Sequence, residues 1–369
     1  MKAHFPRAQM EASTRQTADR LAARALELCR IPSPIGQEKA IADHVEAWAL
    51  RHHAREHVFR HSHSLVVGRL VDPLPTVLLV GHLDTVPPHA SEREPRIESG
   101  RLHGLGSSDM KGALAVMMAL AESLAAGERR ANLGLVFYER EEGPFLESGL
   151  IPLLARVPAL KSAAFAIAME PTDNRVQVGC MGSLHATLTF RGKAAHSARP
   201  WQGENAIHKA GPLLAELHQL QRRQVTFDGF TFYEVFSVTR ASGARARNVV
   251  PDQFEMNLNY RFAPGKSGEQ AQQDVQRFVA GRAEIEFTDV APSGRVCAGN
   301  PHFQRLLSIS GAPADAKQAW TDVARLTEAG IDAVNFGPGE SAQAHQKDES
   351  APIAALAEAY EKLLRFYAG

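Results

Sequence analysis

Apolar residues recur at two different periods in the first half of this chain. Ile41, Val45 and Trp48 fall four and three apart, the spacing that lines one face of a helix. Residues 76–80 form instead a short apolar run stopped by Gly81, which reads as a buried strand. Residues 113–126 are helical in composition, 133–138 are strand-like, and 165–169 make another compact apolar run. Strands separated by helices predict an α/β domain with a mixed, largely parallel sheet and helices on both faces.

Around Gly182 the pattern changes. Leu184, Ala186, Leu188 and Phe190 alternate with His185, Thr187, Thr189 and Arg191, which describes a sheet wet on one face. A helix around Ile207, Leu213, Leu214 and Leu217 follows, and then a second alternating strand carries Phe254, Met256, Leu258, Tyr260 and Phe262. These elements predict a smaller inserted α+β domain that closes between Asp289 and Ser293. Ile331, Val334, Phe336 and a final helix over 353–366 then return to the first domain. The expected organisation is 1–178 for the first part of the large domain, 179–291 for the insert and 292–369 for the second part.

Composition narrows the function classes. With 369 residues and 44% hydrophobic content the chain can bury a large core and a small one. Lys plus Arg and Asp plus Glu number 41 each, so no global field draws the protein to nucleic acid or an acidic membrane. Small molecules or protein are the expected partners. Cys29, Cys180 and Cys297 are too few and scattered for a disulfide framework or a cysteine metal cage, and read as buried free thiols in a reducing compartment. The N-terminus has no secretion signal, the longest apolar stretch, 113–127, contains Glu122, and residues before Arg15 read as a polar tail. A cytoplasmic protein is expected.

Candidate chemistry sits where the apolar runs end. His82 and Asp84 follow the first run in Gly-His-Leu-Asp-Thr-Val-Pro, and residues two apart on extended backbone point to one side. His82 suits a metal, with Asp84 orienting its imidazole; alone, such a histidine is more often structural. Asp109, in Gly-Leu-Gly-Ser-Ser-Asp-Met-Lys-Gly, is a helix cap or a bridging ligand. Glu141 and Glu142 follow 133–138 and are solvated charges or part of a site. Glu170 ends the apolar run 165–169, where a charge is harder to dismiss, and His345 follows the glycine-rich Asn335-Phe336-Gly337-Pro338-Gly339. In open α/β sheets ligands bind beyond the carboxyl ends of the strands, which is the position these residues share. Two histidines and three carboxylates suit zinc or cobalt better than magnesium, a carboxylate can bridge two ions, and Glu141 is left for proton transfer. That combination suits amide hydrolysis.

Gly-His-Leu-Asp-Thr-Val-Pro, Ser-Asp-Met-Lys-Gly, Glu-Glu-Gly-Pro, Glu-Pro-Thr, Ala-His-Ser-Ala-Arg-Pro and the late His345 together resemble the two-zinc aminoacylase and carboxypeptidase family of metallohydrolases. The motifs run through most of the chain, and their joint order is far more specific than any one of them. The resemblance implies His82 and Glu170 on one divalent ion, Glu142 and His345 on the other, Asp109 bridging, Glu141 as general base and Asp84 supporting His82. It also implies that the insert is a dimerisation (lid) domain of a homodimer and supplies His196 to stabilise the oxyanion, across the dimer. Asn248 and Arg261 match family positions that contact a substrate carboxylate, a task suited to the planar fork of donors on arginine.

Within the family the likeness is greatest to succinyl-diaminopimelate desuccinylases, through residues 195–201, 203–207, 320–325 and 335–339. The implied reaction is hydrolysis of N-succinyl-LL-2,6-diaminopimelate to succinate and LL-2,6-diaminopimelate in lysine and diaminopimelate biosynthesis. Leu105, where many relatives carry arginine, and Ala319-Trp320 before Thr321-Asp322, where a Gly-Thr-Ser-Asp pattern is common, depart from the pattern without removing a ligand. A related deacylase acting on acetylornithine, or a dipeptidase, would use the same metals and base. A non-catalytic binding protein is the reading from a different class, and the retained ligands and Glu141 argue against it.

Overall fold

In the computed structural model the run that stops at Gly81 lies in the strand Thr76–His82, buried at every position. A Cβ on Gly81 would stand 2.5 Å from Cε of Met110 and 2.9 Å from Leu114, so glycine lets the following helix lie close on the strand. Thr76–His82 is parallel to Asn132–Tyr138 on one side and to Phe165–Ala168 on the other, and Phe165–Ala168 is parallel to Ala333–Asn335. The margins are antiparallel: Val58–His61 pairs with Ser64–Val67, Ser64–Val67 with Asn132–Tyr138, and Gln177–Val178 with Ala333–Asn335. The result is an eight-stranded mixed sheet, parallel at its centre. The structure describes residues 7–71, 73–91, 93–124 and 129–368.

This sheet belongs to a unit made of Met1–Val178, Val296–Asp315 and Arg325–Gly369. The helices Arg7–Cys29, Lys111–Leu124 and Ile353–Tyr367 pack against one another within it. Lys111–Leu124 is buried almost all round, which is why its sequence shows apolar composition rather than a clean stripe; Ala125 and Ala126, which the sequence adds to this helix, lie outside the described residues. The N-terminal region departs from expectation. Of the residues ahead of Arg15 that the sequence reads as a poorly anchored polar tail, 7–14 belong to the helix Arg7–Cys29, and 1–6 lie outside the described residues. No helix among the described residues is long and apolar enough to cross a membrane, and all three cysteines are free and buried.

The second unit comprises Gly179–Arg295 and Ala316–Ala324. Five antiparallel strands run in the order Arg223–Phe227, Phe230–Gly243, Gln253–Phe262, Gly182–Arg191, Glu284–Ala291. The alternation read from the sequence separates its faces: Leu184, Ala186, Leu188, Met256 and Leu258 pack into one core with residues of the helices Ala206–Gln219 and Gly268–Val279, while His185, Thr187 and Asn257 stay partly exposed. Both helices start on side-chain caps. Asn205 accepts from the backbone N–H of Ile207 and His208, and Ser267 and Gln270 form a reciprocal capping box. Ala316–Ala324, within the span that the sequence groups with the large domain, is joined here by Met181 N–H to the Ala319 carbonyl (3.1 Å) and by Trp320 Nε1 to that of Pro292 (3.0 Å).

Candidate metal centre

Parallel strands deliver their carboxyl ends to one edge of a sheet, and the residues that follow them collect there. His82 is the last residue of its strand and 1% exposed. Its Nδ1 lies 3.0 Å from the backbone carbonyl of Asp84 and 3.6 Å from Oδ1 of the same residue. A carbonyl only accepts, so Nδ1 carries a hydrogen, and Nε2 faces Oδ1 of Asp109, 3.1 Å away, donating to it while the ring is protonated and offering its lone pair to a metal once that proton is lost. The Asp84 carboxylate, buried with no exposed surface, accepts from the backbone N–H of Glu141 and of Glu142, both at 3.0 Å. Asp84 therefore supports the ring with its carbonyl and fixes the two consecutive acids with its side chain.

The sequence candidates gather into overlapping groups. Donor atoms of His82, Asp109 and Glu170 lie within 4.8 Å of one another, as do those of Asp109, Glu142 and His345, and those of His82, Glu141 and Glu142. Asp109 belongs to the first two groups, the position a bridging carboxylate requires. His345 Nε2 is 2.8 Å from Oε1 of Glu142 and 3.7 Å from Oδ2 of Asp109. Two donors held tetrahedrally by one zinc ion stand about 3.3 Å apart, so these separations fit a divalent ion. The glycine-rich loop closes in from the other side. A Cβ on Gly337 would sit 2.5 Å from the Glu170 carbonyl oxygen, and one on Gly339 2.1 Å from that of Ser108, so only glycine permits this approach.

Protonation follows from the crowding of acids. Burial disfavours the His82 imidazolium, but the hydrogen bond to Asp109 and the charges of Asp84, Asp109 and Glu141 outweigh it and raise the ring's pKa well above its ordinary value. The Glu142 hydrogen bond lifts His345 to about 9. Burial raises the Asp84 carboxyl, against the pull of His82 and two N–H donors. A ring with a raised pKa is protonated at neutral pH and must give up that proton to bind a metal. Uptake of Zn(II) or Co(II) by the chelated protein at pH 7 is therefore expected to release protons, with affinity rising with pH until about 9. Calorimetric titration in two buffers of different ionisation enthalpy measures the release, and equal heats in both would contradict it.

One residue of this neighbourhood escapes the sequence reading. Glu349 is 2% exposed and accepts three backbone N–H groups of the loop that carries Asp109. Burial is the main cause that pushes its pKa up to about 7, with the Asp109 charge adding to it and the three donors opposing. In sequence it ends His-Gln-Lys-Asp-Glu, which reads as a solvated polar run; its spacing from His345 is the one signal available.

The other three sequence candidates lie in the second unit. His196 pairs with Val249 across a short antiparallel bridge, and the N–H of Ser197 donates to the Asn248 carbonyl, so His196 and Asn248 are neighbours. The backbone N–H of Ala198 donates to Nδ1 of His196 at 3.1 Å. With Nδ1 accepting, the neutral ring carries its hydrogen on Nε2 and presents a donor. Arg261 is half-buried, its charge penalised by burial, and Nε donates to Oδ1 of Asn259 at 3.1 Å.

The model of peptidase family M20/M25/M40 matches residues 78–368. The chain is 40% identical over 344 residues to a putative succinyl-diaminopimelate desuccinylase DapE of Mycobacterium tuberculosis, covering 93% of this chain and 96% of that protein. It is 36% identical over 334 residues to a succinyl-diaminopimelate desuccinylase of Corynebacterium glutamicum, covering 88% and 90%. Among solved structures, an M20 family metallo-carboxypeptidase of Sulfolobus solfataricus superposes with a TM-score of 0.74 at 16% identity, covering 94% of this chain and 98% of that one. A Bacillus subtilis protein described as a dinuclear metal binding peptidase of the M20 family gives 0.67 at 15%, covering 95% and 98%. At such identities the superpositions speak for the fold.

Proposed function

This chain belongs to peptidase family M20/M25/M40 and is a metal-dependent amidohydrolase; on that premise we propose that it hydrolyses N-succinyl-LL-2,6-diaminopimelate to succinate and LL-2,6-diaminopimelate, a step of lysine and diaminopimelate biosynthesis in the cytoplasm. The substrate reading is carried by 40% identity to a putative desuccinylase over nearly the whole of both chains. The chemistry is supported by two donor groups that share Asp109, with Glu141 beside them.

In this reading His82, Glu170 and Asp109 would hold one ion and Glu142, His345 and Asp109 the other; zinc is the proposed metal, and cobalt suits the same donors. When bound, the ions supply acidity to a water and polarise the amide carbonyl. Glu141 takes the proton of the attacking water and returns it to the amine nitrogen as the C–N bond breaks. The Nε2–H of His196 donates to the carbonyl oxygen as negative charge grows there. Asn248 and Arg261 hold a substrate carboxylate. Support for Arg261 comes from its surroundings: among the described residues no carboxylate stands within 4.0 Å of its guanidinium, so most of its donors are available.

A panel of N-succinyl and N-acetyl amino acids tests the reaction, with kcat/KM expected to be highest for succinyl-diaminopimelate. Faster turnover of acetylornithine would move the assignment to a related deacylase. Bound metal with no hydrolysis of any member would leave a binding protein.

The second unit is the proposed dimerisation domain. The strand Phe230–Gly243 is covered by Arg223–Phe227 only as far as Glu234, which leaves the outer edge from Val235 to Gly243 without a strand partner among the described residues. A second copy pairing along such an edge would satisfy its backbone groups. Excess His196→Ala chains are expected to restore activity to Glu141→Gln chains, because one site in each heterodimer keeps Glu141 and receives an intact His196. Verified subunit exchange without activity would make the site a one-chain site.

A further inference from the structure

Resting on the ligands just assigned, we infer that Glu349 is a positioning residue for the metal centre: it sets Asp109 and His345 relative to each other although it is not one of the donors. The strand Ser350–Pro352 pairs antiparallel with Arg101–His103, and the ladder extends one step further through the Gly104 N–H, which donates to the Glu349 carbonyl at 3.0 Å. There the loop leaves extended geometry, with φ of +138° at Gly104 and +82° at Gly106, and its N–H groups run out of strand partners. The Glu349 side chain takes them over. Oε2 accepts from Gly106 at 2.8 Å, and Oε1 accepts from Ser108 at 2.7 Å and from Asp109 itself at 2.9 Å.

The other end of the link is equally short. His345 precedes Glu349 by four residues, and the segment between is turned on itself by Glu349 N–H to the Gln346 carbonyl (3.2 Å) and Gln346 N–H to that of Gln343 (3.1 Å). One carboxylate thus joins the loop that places Asp109 to the turn that places His345, two donors from distant parts of the chain that meet in one group. Fold stability is a poor reason for this choice. A buried carboxylate beside Asp109 brings desolvation and repulsion that a neutral acceptor would avoid. What it offers is three charge-assisted bonds in a fixed fork, and groups that orient ligands in this way typically govern metal affinity by 10- to 100-fold.

The test is a visible-absorption titration of Co(II) into the chelated, full-length Glu349→Gln protein. Glutamine keeps the volume but turns an NH2 towards an N–H donor, so at least one of the three bonds is lost in either orientation. The expected result is a Kd for the Glu142–His345 ion raised roughly 10- to 100-fold, with a changed d–d spectrum on the second equivalent. Wild-type affinity and spectrum for both ions, with only the melting temperature of the metal-free protein lowered, would overturn the inference and leave Glu349 a staple of the fold. Glu349→Asp keeps the charge and withdraws it by one methylene, and gives the same readout should the glutamine variant not fold. Wild-type protein that takes up fewer than two ions, or His345→Ala protein that binds both as tightly as wild type, would count against the ligand assignment and not against Glu349.

Discussion

Glu141→Gln protein is expected to lose ~10²- to 10⁴-fold in turnover of succinyl-diaminopimelate, the usual worth of general-base help, while retaining both metal ions. The expectation is sharp because the geometry admits a competing role: a Glu141 oxygen lies within 4.8 Å of donor atoms of His82 and Glu142, close enough to serve as a ligand. Glutamine preserves the side-chain volume and leaves the backbone N–H free to donate to Asp84 as before. Only the basic oxygen is removed. Metal content by elemental analysis, taken with the rate, separates the roles. A loss of bound metal in step with the loss of turnover would place Glu141 among the ligands and dissolve its assignment as base.

The sequence shows the central strands plainly because each is buried on both faces and reads as an unbroken apolar run, as in Thr76–His82 and Phe165–Ala168. Candidate donors are legible for the same reason: a His or Glu that ends such a run stands out against it, and the parallel arrangement then requires the run ends to share an edge. Pairings are a different matter. That Asp84 spends its carboxylate on the Glu141 and Glu142 N–H groups, and its carbonyl on His82, depends on the path of two loops. Glu349 shows the limit more clearly. Its neighbours Gln346, Lys347 and Asp348 are polar, and nothing local separates a buried carboxylate from a solvated one; burial comes from Gly106, Ser108 and Asp109, far away in sequence. The start of the helix Arg7–Cys29 was illegible for the opposite reason, since polar residues with fair helix propensity look alike in a helix and in a tail.

Arg261→Lys is expected to cost about 10- to 150-fold in kcat/KM for succinyl-diaminopimelate, and less for a substrate truncated at the recognised carboxylate. Lysine keeps the positive charge and gives up the planar fork, and charge-assisted contacts of this kind are worth roughly 1.5 to 3 kcal/mol each. The transition-state relation converts that energy into the stated fall. The position suits the role. Arg261 sits on the strand Gln253–Phe262, opposite Ser183 and Val235, and spends Nε on Asn259 while the rest of the guanidinium meets no carboxylate among the described residues. Burial penalises the charge against the attraction of Asp289, and a substrate carboxylate would add to that attraction. A structural arginine would behave otherwise. If Arg261→Lys lowers kcat/KM equally for the full and the truncated substrates, the guanidinium holds the sheet together and does not read the succinyl-diaminopimelate carboxylates. A fall confined to the full substrate, appearing mainly in KM, would identify Arg261 as the group that recognises charge on the diaminopimelate or succinyl side before hydrolysis begins.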